Sequence, residues 1–236
     1  MDGHLALAGL AVALGAVAQA VTGFGFSLVS APFLIAAAAA PRGVEWNLTL
    51  SAGLNLVLLA RGYRQVRWSE VGRLLAPAVV ATVGLGLVIR HANRAGLTVA
   101  AGALCLAATA VVATGWRRNR PPGPVASVAA GGVSGAMNVV AGIGGPPVVV
   151  YGLTAGWPAE VARPTLQAFF LGINLVAIPS LGVTSVPLIL PLALLAGIAA
   201  GVVGLRRLPE PFVRSAVLAI AAGGSVLAIL RGSGVL

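Results

Sequence analysis

Two small sets of polar side chains sit inside otherwise apolar stretches and recur at helical spacing. Asn47, Ser51 and Asn55 form one set, and Arg163, Gln167 and Asn174 form the other. At about 100° per residue each set covers less than a quarter of a helix circumference, so each is a stripe on one face. Amides and hydroxyls placed this way either line a polar path or hydrogen-bond one helix to the next, and both uses stay open for these residues. Gln19 and Asn138 stand four residues ahead of two glycine pairs, Gly23-Phe24-Gly25 and Gly142-Ile143-Gly144, and are similarly placed. A helix that stops at such a pair and restarts inside the protein presents N–H groups without intrahelical partners and the positive end of its dipole, which together suit an anion. The restarts are expected before Ser27–Leu28 and before Pro147–Val148, with Pro146 and Pro147 suited to a first turn that needs no N–H. Gly23, Gly25, Phe26 and Ser27 then belong to one half-site, and Gly142, Gly144 and Gly145 to the other. The backbone N–H groups of residues 25–27 and 144–145 are expected to face the ligand. Glycine pairs also permit close helix packing, so the pattern alone is a weak signal. Between Glu45 and Glu160 the only carboxylate is Glu70, in a loop, which favours an anion over a cation.

The elements that carry these residues are read from composition. Of 236 residues 58% are apolar and 8% charged, where soluble domains carry about 25% charged residues. Most of the surface must therefore face lipid. The net charge of +10 comes from fifteen Arg against four Glu and one Asp, with no Lys. These arginines fall in short clusters between apolar runs, where they orient membrane spans, and nucleic-acid binding is set aside. Cys105 is alone, so neither an intrachain disulfide nor a Cys-based metal site is expected, and no cofactor or metal is called for. Ten apolar segments run at 5–21, 28–40, 44–60, 74–89, 95–115, 125–141, 148–157, 164–181, 186–204 and 212–230. Segments 28–40 and 148–157 are too short to cross about 30 Å of hydrocarbon as helices. Each follows a glycine-rich, uncharged break, which favours helix pairs bent within the protein over tight turns at the membrane surface. Ala18-Gln19-Ala20 imitates a signal-peptidase site, but Met1-Asp2-Gly3-His4 lacks the basic residues of a signal sequence, and residues 5–21 are read as a retained span.

A shift of 119 residues superposes Gly23 on Gly142, Gly25 on Gly144, Gly53 on Gly172, Asn55 on Asn174, and Leu56-Val57 on Leu175-Val176. One gap-free offset across all of these indicates internal duplication. Repeat one is taken as residues 1–117 and repeat two as 118–236, each with five apolar segments. The short segment returns to the side from which it came, so the net crossings per half are odd and the second repeat is inverted. The arginines agree. Loops 61–73, 116–124, 158–163 and 205–214 hold eleven Arg on one side, against Arg42, Arg90, Arg94 and Arg231 on the other. Arg-rich short loops stay cytoplasmic, which places both termini outside. The fold class expected is an all-α polytopic membrane protein of two inverted repeats with glycine-broken helix pairs, an architecture of transporters.

The stretches Gly23-Phe24-Gly25-Phe26-Ser27-Leu28-Val29-Ser30-Ala31-Pro32 and Gly142-Ile143-Gly144-Gly145-Pro146-Pro147, with Ala162-Arg163-Pro164-Thr165-Leu166, resemble the paired motifs of the TauE/SafE sulfite exporter family. The resemblance covers nearly the whole chain. It implies a permease of the bacterial or archaeal cytoplasmic membrane for sulfite, organosulfonates such as sulfoacetate, or related small organic anions. The expected partners are that anion and the lipid bilayer, and association of two copies as a homodimer is left open. The first glycine pair reads Gly-Phe-Gly-Phe and the second Gly-Ile-Gly-Gly, so the two half-sites are expected to differ. A passive anion channel and an importer of a small organic acid are the alternatives. An intramembrane enzyme is disfavoured, since no buried acid pair, His-based metal motif or activated nucleophile is evident. Arg163 is expected to guard the cytoplasmic approach.

Overall fold

The computed structural model describes residues 2–89, 92–114, 122–182, 184–203 and 210–235. Ten α-helices follow the apolar runs: α1 Asp2–Thr22, α2 Phe26–Ala38, α3 Arg42–Leu59, α4 Trp68–Ile89, α5 Arg94–Thr114, α6 Pro124–Ala141, α7 Gly145–Thr154, α8 Ala159–Leu181, α9 Ile189–Val203 and α10 Glu210–Gly232. A single 3-10 turn spans Tyr63–Gln65, and no strand occurs among the described residues. Among the described residues six helices are long and apolar enough to cross a bilayer, namely those containing Gly3–Thr22, Trp68–Ile89, Arg94–Thr114, Pro124–Ala141, Ala159–Leu181 and Ser215–Gly232. The 13 residues of α2 and the 10 of α7 rise only about 20 and 15 Å, short of the hydrocarbon thickness.

Boundaries moved where polar residues extend a helix beyond its apolar run. α4 begins at Trp68 rather than 74, and α8 at Ala159 rather than 164, because hydropathy marks only where the greasy stretch starts. Glu70 and Glu160 lie in the first turns of these helices, near the positive end of the dipole. Arg163 and Pro164 therefore lie within α8 and not at its start. The restarts come one and two residues earlier than expected, at Phe26 and Gly145. Arg90, Arg117, Arg118, Arg120, Arg206 and Arg207, and the repeat boundary at 117/118, lie outside the described residues, as does the side chain of Arg214.

Both breaks are interior. Ile143 is buried, as are Gly23, Gly25, Gly142 and Gly144. Gly23 (φ 88°), Gly25 (φ 114°) and Gly142 (φ 70°) adopt left-handed backbone that other residues take only under strain, whereas Gly144 (φ −88°) is ordinary. The helices then pack α1 on α2 and α9, α4 on α6 and α8, α5 on α10, α3 on α8, and α2 on α10. Lipid supplies no hydrophobic drive between helices, so close approach of small residues does the work. At Gly135 of α6 a β-carbon would lie 2.2 Å from the Ala78 carbonyl oxygen of α4, and at Gly197 of α9 it would lie 2.3 Å from that of Ala13 of α1. Val80, Leu87, Val128, Leu192 and Leu195 point outward, as a lipid-facing surface requires.

Candidate functional site

Ser51 and Asn55 of the first stripe and Gln167 and Asn174 of the second, together with Gln19 and Asn138, meet in one buried hydrogen-bond chain. Its direction is set by two backbone groups. The Phe26 N–H donates to Gln19 Oε1 (3.2 Å), so Gln19 Nε2 is left to donate to Asn55 Oδ1 (2.7 Å) and Gln167 Oε1 (2.9 Å). Gln167 Nε2 donates to the Gly23 carbonyl (2.8 Å). Asn55 Nδ2 then donates to Ser51 Oγ (3.1 Å), which also accepts from Asn174 Nδ2 (3.0 Å). Asn174 Oδ1 accepts from Asn138 Nδ2 (3.0 Å). With both lone pairs of Ser51 Oγ occupied, its hydroxyl proton is the donor that remains.

A second cluster pins the two breaks to each other. Asn47 Nδ2 donates to Ser27 Oγ (3.1 Å) and to the Gly142 carbonyl (2.9 Å), while Asn47 Oδ1 accepts from Ser30 Oγ (2.6 Å). Ser134 Oγ donates to the Gly144 carbonyl. Asn47 is fully buried, so losing any of these partners would leave a polar group stranded.

Between the breaks lies a small cavity of about 30 Å³. Its walls are Gly25, Ser27 and Leu28 from the start of α2, Gly144, Gly145 and Pro146 from the start of α7, and the side chains of Gln19, Phe24, Ser51, Asn138, Ile143, Phe170 and Asn174. No charged side chain is among them. The starts of both short helices thus face one space, each with N–H groups that have no intrahelical acceptor. They are not equivalent. Pro146 and Pro147 have no N–H, so the first turn of α7 offers fewer donors than that of α2.

Past the end of α3 a wider vestibule of about 290 Å³ opens, lined by Arg61, Arg163, Glu160, Gln65 and Gln167 among others. Gln19 belongs to the walls of both spaces and stands between them. The Arg163 stem lies on Gly23, where a β-carbon would sit 2.5 Å from Arg163 Cγ. The one ion pair among the described residues joins Arg73 to Glu70 (3.0 Å), so neither vestibule arginine is neutralised by Glu160. Two guanidiniums against one carboxylate make this mouth attractive to anions.

Of the residues singled out in the sequence, Gly25, Ser27, Ser51, Asn138, Gly144, Gly145 and Asn174 line the cavity, while Gly23, Arg163 and Gln167 line the vestibule. Asn55 lies behind the wall and orients Gln19 and Ser51. Gly142 offers its carbonyl to Asn47. The Phe26 ring turns away into a core with Ala8, Val12, Leu34 and Leu54, and its N–H is taken by Gln19. Phe24, Phe170 and Ile143 were not anticipated as lining residues, because an apolar side chain in an apolar run carries no mark of facing a cavity. Gln19 did carry one, its correspondence with Asn138 under the 119-residue shift.

The family model described as "Sulfite exporter TauE/SafE" matches residues 7–228, so the chain belongs to that family. No curated protein and no solved structure matches it. Family membership and the apolar helices together make the chain a multi-pass membrane transport protein.

Proposed function

We propose, from its membership in the sulfite exporter TauE/SafE family, that this chain moves a small anion of the sulfite or organosulfonate class outward across the cytoplasmic membrane by alternating access. The observation that carries the reading is the uncharged cavity between two interior helix breaks, separated from an arginine-bearing vestibule by the side chain of Gln19. An anion drawn in by Arg61 and Arg163 passes when Gln19 leaves Gln167. It is then held by the Ser51 and Ser27 hydroxyls and by N–H groups at the starts of α2 and α7. Neutral donors suit a site that must release its cargo as well as take it, since binding too tight would stall turnover.

Two inverted repeats, 1–117 and 118–236, supply the alternation. In support, α1 to α5 shifted by 119 residues overlap α6 to α10 in order, and the bond from Gln19 to Asn55 corresponds to that from Asn138 to Asn174. The end away from the vestibule is tied across the two halves as well. Thr184 Oγ1 donates to Glu45 Oε2 (2.7 Å) and Trp46 Nε1 donates to the Ser185 carbonyl (3.1 Å), in addition to the Asn47 cluster. In this reading the vestibule faces the cytoplasm and both termini face outward. Flux of sulfite and sulfoacetate into proteoliposomes tests it. Saturable flux that falls in the Ser51→Ala variant supports alternating access, and flux that rises linearly with concentration favours a passive pore.

A further inference from the structure

At the other end of α3 from the vestibule, a second concavity of about 590 Å³ is lined by Arg42, Arg94 and Arg231. The 18 residues of α3 separate the two, a rise of about 27 Å. The arginines come from three helices, α3, α5 and α10, and among the described residues no carboxylate lines the hollow. The described acid nearest in sequence, Glu45, is buried and engaged by Thr184. Arg231 Nη1 donates to the Ala36 carbonyl and so fixes the end of α2. Arg42 and Arg94 are exposed and form no ion pair, the Arg73–Glu70 pair being the one among the described residues. Three like charges gathered in one hollow repel each other unless a counter-charge enters. A guanidinium presents its N–H groups in a fork that fits two oxygens of one oxyanion.

We infer that this basin is an oxyanion-binding site, distinct from the central cavity, in which Arg42 and Arg94 grip a sulfate-, sulfonate- or phosphate-type group. The inference does not depend on which solute is transported, because the basin and the Arg163 vestibule share no residue. Trp46 lines the basin and serves as the reporter.

The test uses the full chain in phosphatidylcholine nanodiscs, with sodium sulfate and ethanesulfonate titrated at constant ionic strength. Trp46 emission is isolated by difference from Trp46→Phe. The wild type and Arg163→Gln should show the same saturable change, and Arg42→Gln/Arg94→Gln should need about tenfold more anion or more. Arg42→Lys keeps the charge but loses the fork and should fall between. Equal melting temperatures check that the exposed arginines are not needed for folding. Replacing part of the phosphatidylcholine with phosphatidylglycerol separates the sources of the oxyanion. A lipid headgroup in the basin weakens the sulfate response by competition that depends on Arg42 and Arg94, whereas a free solute site is unaffected. An identical response in the wild type and the double variant, or no saturable response with either lipid, overturns the site.

Discussion

Asn55 and Asn174, 119 positions apart in the chain, donate to the same oxygen: Ser51 Oγ receives Asn55 Nδ2 at 3.1 Å and Asn174 Nδ2 at 3.0 Å. One hydroxyl thereby joins α3 to α8 at the cavity wall and keeps its proton as a free donor. Ser51→Ala leaves two buried amides each short of an acceptor, which costs about 1–3 kcal/mol per stranded group. The expected outcome is a lower melting temperature in detergent together with lost anion flux. Unchanged melting and flux would remove Ser51 from the site.

Gln19 separates the vestibule from the cavity through bonds to Asn55, Gln167 and the Phe26 N–H. Shortening it to alanine opens that wall. In a Cys105→Ser background, a cysteine at Ser27 should react with a thiol reagent about tenfold faster when Gln19→Ala is added. Gln19→Glu is expected to depress anion flux, since a carboxylate there repels the anion. Equal labelling rates with and without Gln19→Ala would show that the barrier lies elsewhere.

How much of this was readable in advance depends on what periodicity can and cannot report. The ten helices and the two interior breaks follow from long apolar runs and from glycine pairs with no polar neighbours. Asn47, Ser51 and Asn55 share one helix face, and their spacing gives them equal standing. Only the tertiary fold divides them, with Asn47 pinning the breaks, Ser51 reaching the cavity and Asn55 standing behind it. Gly53 shows the converse. It pairs with Gly172 in the repeat, yet a β-carbon at Gly53 meets nothing within 4 Å, while one at Gly172 lies 3.0 Å from Leu75 Cδ2. Correspondence under the 119-residue shift does not by itself report contact.

That difference among glycines is measurable. Gly53→Ala should leave folding intact and even favour it by about 1 kcal/mol, since alanine is the better helix former. Gly135→Ala forces α4 and α6 apart against a backbone carbonyl and should sharply reduce the yield of folded protein. Size-exclusion profiles and melting temperatures of the two variants check this. Similar losses in both would contradict the packing described.

Arg163 is the vestibule cation that lies against a break glycine, its stem on Gly23. Loss of a charge-assisted hydrogen bond costs about 1.5–3 kcal/mol, roughly tenfold or more in affinity. Arg163→Gln should therefore raise the anion concentration for half-maximal transport from the vestibule side far more than Arg231→Gln does. Gly23→Ala should mimic it, because the new methyl displaces the Arg163 stem and strains a backbone at φ 88°. Equal constants for Arg163→Gln and Arg231→Gln would reduce Arg163 to an orienting charge.

The source of energy follows from where the carboxylates are. Among the described residues none lines the cavity; Glu160 lies in the vestibule and Glu45 lies buried at the opposite end of α3, held by Thr184. An anion crossing between neutral walls carries its own charge through the field. With the cytoplasm negative, 100 mV drives one negative charge outward with about 2.3 kcal/mol, close to a fiftyfold concentration ratio, and a doubly charged anion gains twice that. Proteoliposomes with an imposed potential and no pH gradient should therefore accumulate anion on the positive side, and Glu45→Gln should leave that flux intact. If flux ignores the potential, follows a pH gradient and disappears in Glu45→Gln, the field-driven mechanism is wrong, and the buried carboxylate carries a proton instead.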